Sequence, residues 1–226
     1  MVIKVVEKAR GSKEAQTIMS LQRLPSTSRS PVIPAELVEC EKSTLILMPY
    51  LPSVSRYFWA ASEAHSFFLY AFTQMIAAVE ALHNNNIAHL DIAITNFTFV
   101  QSDIKFGSVE LKKDDIYLID FDTTKHFESG PGSNITVTDF HGGHYAPPEG
   151  PELVDPYAYD VFSLGMTLRS LTKFSQYCEP EFEPFIETLS AKDPKQRPSI
   201  HQVQRKWRSL LYLLRPRILL QDCVPI

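Results

Sequence analysis

Residues 87–97, which read Ile-Ala-His-Leu-Asp-Ile-Ala-Ile-Thr-Asn-Phe, constrain the fold more than any other stretch of this chain. Apolar side chains at Ile87, Ile92 and Phe97 alternate with the polar side chains of Asp91 and Asn96. We expect the apolar residues to anchor a loop while Asp91 and Asn96 face solvent. A carboxylate beside a carboxamide suits a proton acceptor next to a metal ligand. An ordinary turn that follows a helix would also fit this pattern.

The composition narrows the class of protein. At 226 residues and 44% hydrophobic, the chain can bury a core as one domain or as two closely packed lobes. Its net charge of −4 argues against a nucleic-acid-binding surface, which is normally basic. The three scattered cysteines predict neither a disulfide framework nor a zinc site. With neither a signal peptide nor a membrane span in the sequence, we expect a cytoplasmic, intracellular protein that is a monomer.

Apolar periodicity and turn residues predict the elements in chain order. Residues 2–6 read as a buried strand that contains Lys4, and residues 14–24 read as a helix with Ser12 as its N-cap. The remaining predictions are a β-hairpin over 35–40 and 44–49, helices over 57–64 and 66–84, paired strands over 97–100 and 115–119, and helices over 159–172, 182–189 and 200–214.

The longest predicted helix has one apolar face. Its stripe consists of Phe68, Ala71, Met75, Val79 and Leu82, which recur at helical spacing and therefore belong to the core. A similar stripe runs along the last predicted helix, whose basic residues lie elsewhere and read as a solvated face.

Several motifs occur in an order that resembles the protein kinase fold. The loop of His89, Asp91 and Asn96 is followed by Asp-Phe-Asp at 120–122, Tyr-Ala-Pro-Pro-Glu at 145–149, Asp-Val-Phe-Ser-Leu-Gly at 160–165 and Asp-Pro-Lys-Gln-Arg-Pro at 193–198. The resemblance implies an α+β, bilobal fold formed by a single domain over 1–226. Residues 1–50 would form a reduced N-lobe sheet, and residues 51–226 a mainly helical C-lobe. The chain is most similar to the divergent kinase-like proteins of mushroom-forming fungi.

The resemblance also implies roles for the residues around the cleft. Asp91 would accept the proton of the substrate hydroxyl, and Asn96 and Asp120 would hold Mg²⁺ on the phosphates of ATP. Lys4 would contact the α- and β-phosphates and pair with Glu14. Two alternatives stay open, because Lys4 could be an exposed lysine on an edge strand and Glu14 a surface residue.

Other matches to the family concern nucleotide binding and structure. Met48 and Pro49 resemble the start of the hinge that binds adenine, where Pro49 offers its carbonyl and Leu51 its N–H. Four residues are structural by the same resemblance: Glu149 and Arg197 as a buried ion pair, Asp160 as an acceptor for backbone N–H groups of the catalytic loop, and His89 as a brace for that loop.

The chain also departs from the family pattern. It begins within what resembles the third strand, so the glycine-rich phosphate loop is missing from this sequence. Leu90 stands where an arginine usually binds a phosphorylated activation segment. Ala93 and Thr95 stand where serine/threonine kinases and tyrosine kinases, respectively, place a cation. Asp122 replaces the last residue of the metal-binding motif.

Three functions are therefore open. The first is transfer of phosphate from ATP to protein serine or threonine, at a reduced rate. The second is a pseudokinase, which would bind partners without turnover. The third is a small-molecule phosphotransferase of the aminoglycoside or choline kinase type. Such enzymes share the catalytic-loop spacing but lack the Pro-Pro-Glu and Arg-Pro motifs found here.

Overall fold

A computed structural model describes residues 1–8, 13–23, 32–56, 65–138, 140, 142–174 and 180–221. The chain has a mixed α+β fold. It begins with strand β1 (Val2–Glu7), helix α1 (Lys13–Gln22) and strands β2 (Glu36–Glu39) and β3 (Ser43–Met48). The strands form an antiparallel sheet in the order β1-β3-β2, as the predicted hairpin requires.

The prediction of a buried first strand is wrong. Ile3 and Val5 are 51% and 61% exposed because they point away from the covered face of the sheet. Lys4 and Val6 lie on the opposite face and are partly buried, as the alternation of side chains along a strand demands. In α1, Ala15, Ile18 and Leu21 are buried and recur at helical spacing.

The larger part of the core lies among four helices. They are α2 (His65–His83), α3 (Pro156–Phe174), α4 (Phe182–Leu189) and α5 (Ile200–Gln221). All five residues of the stripe predicted for α2 are fully or almost fully buried. Phe72, Phe182 and Trp207 join α2, α4 and α5, with ring centroids 5.4 to 6.2 Å apart. The predicted helix over 57–64 and the proposed cap Ser12 lie outside the described residues.

Short strands connect the sheet to the helices and carry the candidate site. They are β4 (Ile87–Ala88), β5 (Phe97–Phe99), β6 (Ile104–Phe106), β7 (Val109–Leu111), β8 (Ile116–Leu118) and β9 (Lys125–His126). The predicted pairing of β5 with β8 is confirmed, with Phe97 opposite Leu118. A 3-10 turn over Ile94–Asn96 precedes β5 and closes the loop that carries Asp91.

The hairpin β6–β7 was not predicted. Gly107, at φ +59°, makes its turn, and Ile104, Phe106, Val109 and Leu111 alternate along its strands. Gly-Ser between two alternating apolar runs is a hairpin signal that the sequence does contain. In the part of the chain that the structure describes, no helix is long and apolar enough to cross a membrane.

Candidate active site

Asp160 on α3 fixes the backbone of the loop that carries Asp91. Its carboxylate is fully buried and accepts hydrogen bonds from the backbone N–H groups of His89 and Leu90, both at 2.8 Å. Leu90 lies at φ +66°, a conformation that is uncommon for a non-glycine residue and needs support from its surroundings. A third contact comes from Nε2 of His83, 3.1 Å from Oδ2 of Asp160. This geometry matches the role that the resemblance implied for Asp160.

His89 braces the same loop from the other side. Its Nδ1 accepts the backbone N–H of Asp91 at 3.3 Å, so Nε2 carries the ring hydrogen and donates to the Ile119 carbonyl at 3.2 Å. The ring packs edge-on against Phe121, with centroids 5.2 Å apart. Burial lowers the pKa of His89, which keeps the imidazole neutral near pH 7.

Asp91 and Asn96 lie side by side, although not as the sequence predicted. Asn96 is 6% exposed and the Asp91 side chain 15%, so the expectation that both face solvent is wrong. The 3-10 turn directs Asn96 inward, where Nδ2 donates to the backbone carbonyl of Asp91 at 2.8 Å and to its Oδ2 at 3.0 Å. The amide nitrogen of Asn96 only donates hydrogen bonds, so Oδ1 is the atom of this side chain that could bind a metal ion.

Lys4 brings two acidic residues together. Its Nζ lies 2.8 Å from Oε2 of Glu14 and 2.8 Å from Oδ1 of Asp120. Glu14 is 4% exposed, so the alternative that it is a surface residue is wrong. Lys4 does lie on an outer strand of its sheet, but its ammonium group is directed into this network. Three residues separated by up to 116 positions in the chain thus meet at one point.

Burial and neighbouring charges shift the pKa values of Lys4 and Glu14 in opposite directions. Burial by itself lowers the pKa of Lys4, but the hydrogen bonds and charges of Asp120 and Glu14 outweigh it and raise that pKa above its ordinary value. For Glu14, burial raises the pKa in spite of the Lys4 contact. Oε1 of Glu14 also accepts the backbone N–H of Phe121 at 3.3 Å. Lys4 therefore stays charged, and Glu14 holds it in place.

The described residues show no direct hydrogen bond between the Lys4 network and the Asp91–Asn96 pair. His89 and Phe121 connect the two, because His89 contacts Asp91 and Phe121 lies between Glu14 and the His89 ring. Asp120 lies at φ +65°, which turns the chain sharply after β8 and directs its carboxylate toward Lys4. Side chains of β1 and α1 therefore lie close to those of the segments that follow β4 and β8.

The residues predicted to bind adenine lie at the end of β3. Met48 ends that strand, Pro49 is buried, and Leu51 is 9% exposed. Leu51 belongs to an apolar cluster that also includes Ile33, Val100, Leu111 and Tyr117, with Met48 packed against it. The segment is therefore anchored to the core by Leu51, while Met48 remains partly exposed.

Glu149 and Arg197 form the ion pair that the resemblance implied. The guanidinium is fully buried and binds the carboxylate at two points, Nη1 to Oε1 at 2.9 Å and Nη2 to Oε2 at 2.5 Å. Arg197 also donates to the carbonyls of Ala191 and Lys192 and lies 4.9 Å above the ring of Phe162. The pair joins the segment after β9 to the helices.

His144 is a contact of Asp91 that the sequence reasoning missed. Its backbone N–H and its ring Nδ1 both lie 2.8 Å from Oδ1 of Asp91. Its Nε2 lies 3.1 Å from the hydroxyl of Thr95. Nothing in the spacing of a single histidine, 53 residues beyond Asp91, identifies such a contact in advance.

The side chains at this site could hold a magnesium ion that is also bound by phosphate and water, but they do not form a metal site made of protein ligands alone. Within the described residues, no group of three or more His, Cys, Asp or Glu side chains could hold a metal ion. Asp120 offers a carboxylate that is 46% exposed, and Asn96 offers Oδ1. Mg²⁺ commonly takes one or two protein oxygens and completes its shell with water and phosphate oxygens, so this donor set fits it.

Comparison with known proteins agrees with this geometry. Residues 1–179 match the family described as Protein kinase domain. A provisionally named serine/threonine-protein kinase of Acanthamoeba polyphaga mimivirus is 26% identical over 160 residues. That alignment covers 59% of this chain and 53% of the viral protein, so the chain spans about half the length of this relative.

Proposed function

Because this chain belongs to the protein kinase family, we propose that it transfers the γ-phosphoryl group of ATP to a serine or threonine hydroxyl of a protein. One observation carries the proposal: Lys4 contacts both Glu14 and Asp120 at 2.8 Å, which assembles a cation and a candidate metal ligand at one point. A phosphotransferase needs such a constellation, because its catalysis depends on positioning and charge neutralisation.

ATP would lie between two lobes of a single domain spanning 1–226. The sheet and α1, within residues 1–50, form the smaller lobe, and residues 51–226 form the larger one. The carbonyl of Pro49 and the N–H of Leu51 would bind adenine beside Met48. Lys4 would contact the α- and β-phosphates and exchange its Asp120 contact for them, while Glu14 keeps it in position.

Asp120 and Oδ1 of Asn96 would hold Mg²⁺, which neutralises the charge of the phosphates when it is bound. Asp91 would orient the acceptor hydroxyl. The acceptor oxygen forms a bond to the γ-phosphorus, and the bond between that phosphorus and the β–γ bridging oxygen breaks. The electron pair of that bond leaves with ADP, and the hydroxyl proton passes to Asp91.

Two observations favour a protein acceptor over a small alcohol. The Glu149–Arg197 pair belongs to motifs that aminoglycoside and choline kinases lack, and both its hydrogen bonds are formed here. The viral relative is named a serine/threonine-protein kinase. The second candidate is the function of a pseudokinase, which binds partners without transferring phosphate. It is favoured by Ala93 and Thr95, which leave the catalytic loop without its usual cation.

Nucleotide binding tests the proposal first. Saturating Mg·ATP is expected to raise the melting temperature of the wild-type protein, since a ligand that binds only the folded state stabilises it by about 2.7 kcal/mol at 100 times its Kd. Lys4→Met should abolish most of this shift. Lys8→Met is the matched control, because Lys8 is an exposed lysine on the same segment that pairs with Glu39.

Transfer is then measured with radiolabelled ATP against a protein panel and against small alcohols and aminoglycosides. Labelled serine or threonine in protein supports the proposal. Binding without transfer to any acceptor would identify a pseudokinase instead, and label confined to small alcohols would identify the third function. A protein that millimolar Mg·ATP does not stabilise would contradict every nucleotide-dependent function.

A further inference from the structure

The environment of Asp91 contains a residue that the catalytic loop does not supply. Both hydrogen bonds to Oδ1 of Asp91 come from His144, which follows β9 in the chain and lies five residues before Glu149. Oδ2 accepts one hydrogen bond, from Nδ2 of Asn96 at 3.0 Å. A carboxylate oxygen has about two lone pairs, so His144 saturates Oδ1 and Oδ2 retains one free acceptor position.

The protonation of the His144 ring follows from its partners. A carboxylate oxygen only accepts, so Nδ1 carries a hydrogen and donates it to Asp91. At the other end, the Thr95 hydroxyl lies 3.1 Å from Nε2 and can donate to it when the ring is neutral. Thr95 is one of two positions where the family would place a cation, and Ala93 is the other. His144 thus contacts one of these two positions through its ring.

A glycine lets the chain come this close. Gly143 lies at φ +84°, and a Cβ atom added there would meet the Tyr159 hydroxyl oxygen at 2.1 Å and the Leu90 carbonyl oxygen at 2.9 Å. The Tyr159 hydroxyl in turn donates to the carbonyl of Tyr145 at 2.5 Å. The backbone on both sides of His144 is therefore held by Tyr159 of α3, which keeps the backbone N–H of His144 on Asp91 and leaves the second donor to the ring.

We infer that His144 is a positioning residue for phosphoryl transfer, which fixes Asp91 so that Oδ2 is the atom that receives the acceptor proton. This inference rests on the proposed function. By holding Oδ1 with two N–H donors, His144 leaves a single direction from which a hydroxyl can approach the carboxylate.

The test compares four proteins in the same transfer assay: wild type, His144→Ala, His144→Asn and His201→Ala. Asparagine keeps an N–H donor close to the position of Nδ1, and His201 is an exposed histidine on α5 that serves as the matched control. His144→Ala removes the ring donor and keeps the backbone N–H donor to Oδ1, so it is expected to lower kcat by up to about 10²-fold, the scale of a misplaced reacting group, with an unchanged KM for ATP. His144→Asn should recover roughly 10-fold of that loss.

His144 is 45% exposed, so its replacement should leave the melting temperature close to that of the wild type. If alanine alone impaired folding, the asparagine variant would decide the question. Unchanged or increased kcat in both variants, with the wild type active, would overturn the inference and leave the proposed function intact. A fall in ATP affinity rather than in kcat would also overturn it. A wild-type protein that binds ATP but transfers no phosphate would refute the proposed function and the inference with it.

Discussion

Replacing Glu149 with glutamine is expected to destabilise the protein strongly. The substitution preserves the shape of the side chain but removes the negative charge from a guanidinium that is fully buried. Breaking a buried ion pair from one side costs roughly 3–5 kcal/mol. Arg197 keeps its hydrogen bonds to the carbonyls of Ala191, at 2.8 Å, and Lys192, at 3.2 Å, so the lower end of that range applies.

A loss of about 3 kcal/mol corresponds to a fall of roughly 6–12 °C in melting temperature for a chain of this size. Circular dichroism during thermal unfolding measures it, and Glu152→Gln is the matched control because Glu152 is exposed and close by in the sequence. The double variant Glu149→Gln/Arg197→Met should cost less than the two single changes added together. A Glu149→Gln melting temperature equal to that of the control would refute the reasoning.

Two further predictions concern the catalytic loop. Gly143→Ala should lower both the melting temperature and kcat, because its Cβ meets Tyr159 and displaces His144. Gly132→Ala has a similar φ of +89° but nothing within 4 Å, so it should show only the backbone strain of about 1–2 kcal/mol; equal effects would contradict the account. The second prediction concerns pH. Burial lowers the pKa of His89 in the folded state, so its contribution to stability is complete above about pH 6.5, the unfolded value, and is lost as pH falls below it. The melting temperature should therefore fall between pH 7 and pH 5, less steeply in His89→Gln than in the wild type; parallel curves for the two proteins would contradict this.

Periodic features of the chain were predictable from the sequence. The α2 stripe and the strands around β3 and β8 follow from apolar spacing, because a helix or strand that buries one face repeats its apolar residues at a fixed interval. Helix α4 matched its prediction over all of Phe182–Leu189. Helix ends were less well predicted, since α3 begins at Pro156 and α5 continues to Gln221.

Burial and long-range contacts could not be predicted in the same way. The exposure of Ile3 and Val5 depends on what covers each face of the sheet, and a short strand of four apolar residues and one lysine does not encode it. The inward direction of Asn96 follows from the 3-10 turn that it ends, which spans only three residues. His144 reaches Asp91 because Gly143 adopts a positive φ against Tyr159, a contact that involves three separate segments of the chain.

The resemblance implied that Lys4 and Glu14 would pair, without a distance. It did not indicate that Lys4 also contacts Asp120, which follows from the position of β1, α1 and the end of β8 around one point. It did not indicate that the Asp91 carboxylate is shared between Asn96 and His144, because His144 lies outside the motifs. A residue outside the motifs could therefore not be assigned to the site from the sequence.

The most direct test of the central claim is the rate of phosphoryl transfer from radiolabelled ATP to protein by the wild type and by Asp91→Asn. Asp103→Asn is the matched control, because it makes the same chemical change at an exposed aspartate that contacts Lys112 and Lys113. The account predicts measurable transfer by the wild type and the control, with a loss of roughly 10²–10⁴-fold in Asp91→Asn and unchanged binding of Mg·ATP. Equal transfer by Asp91→Asn and the wild type would contradict it.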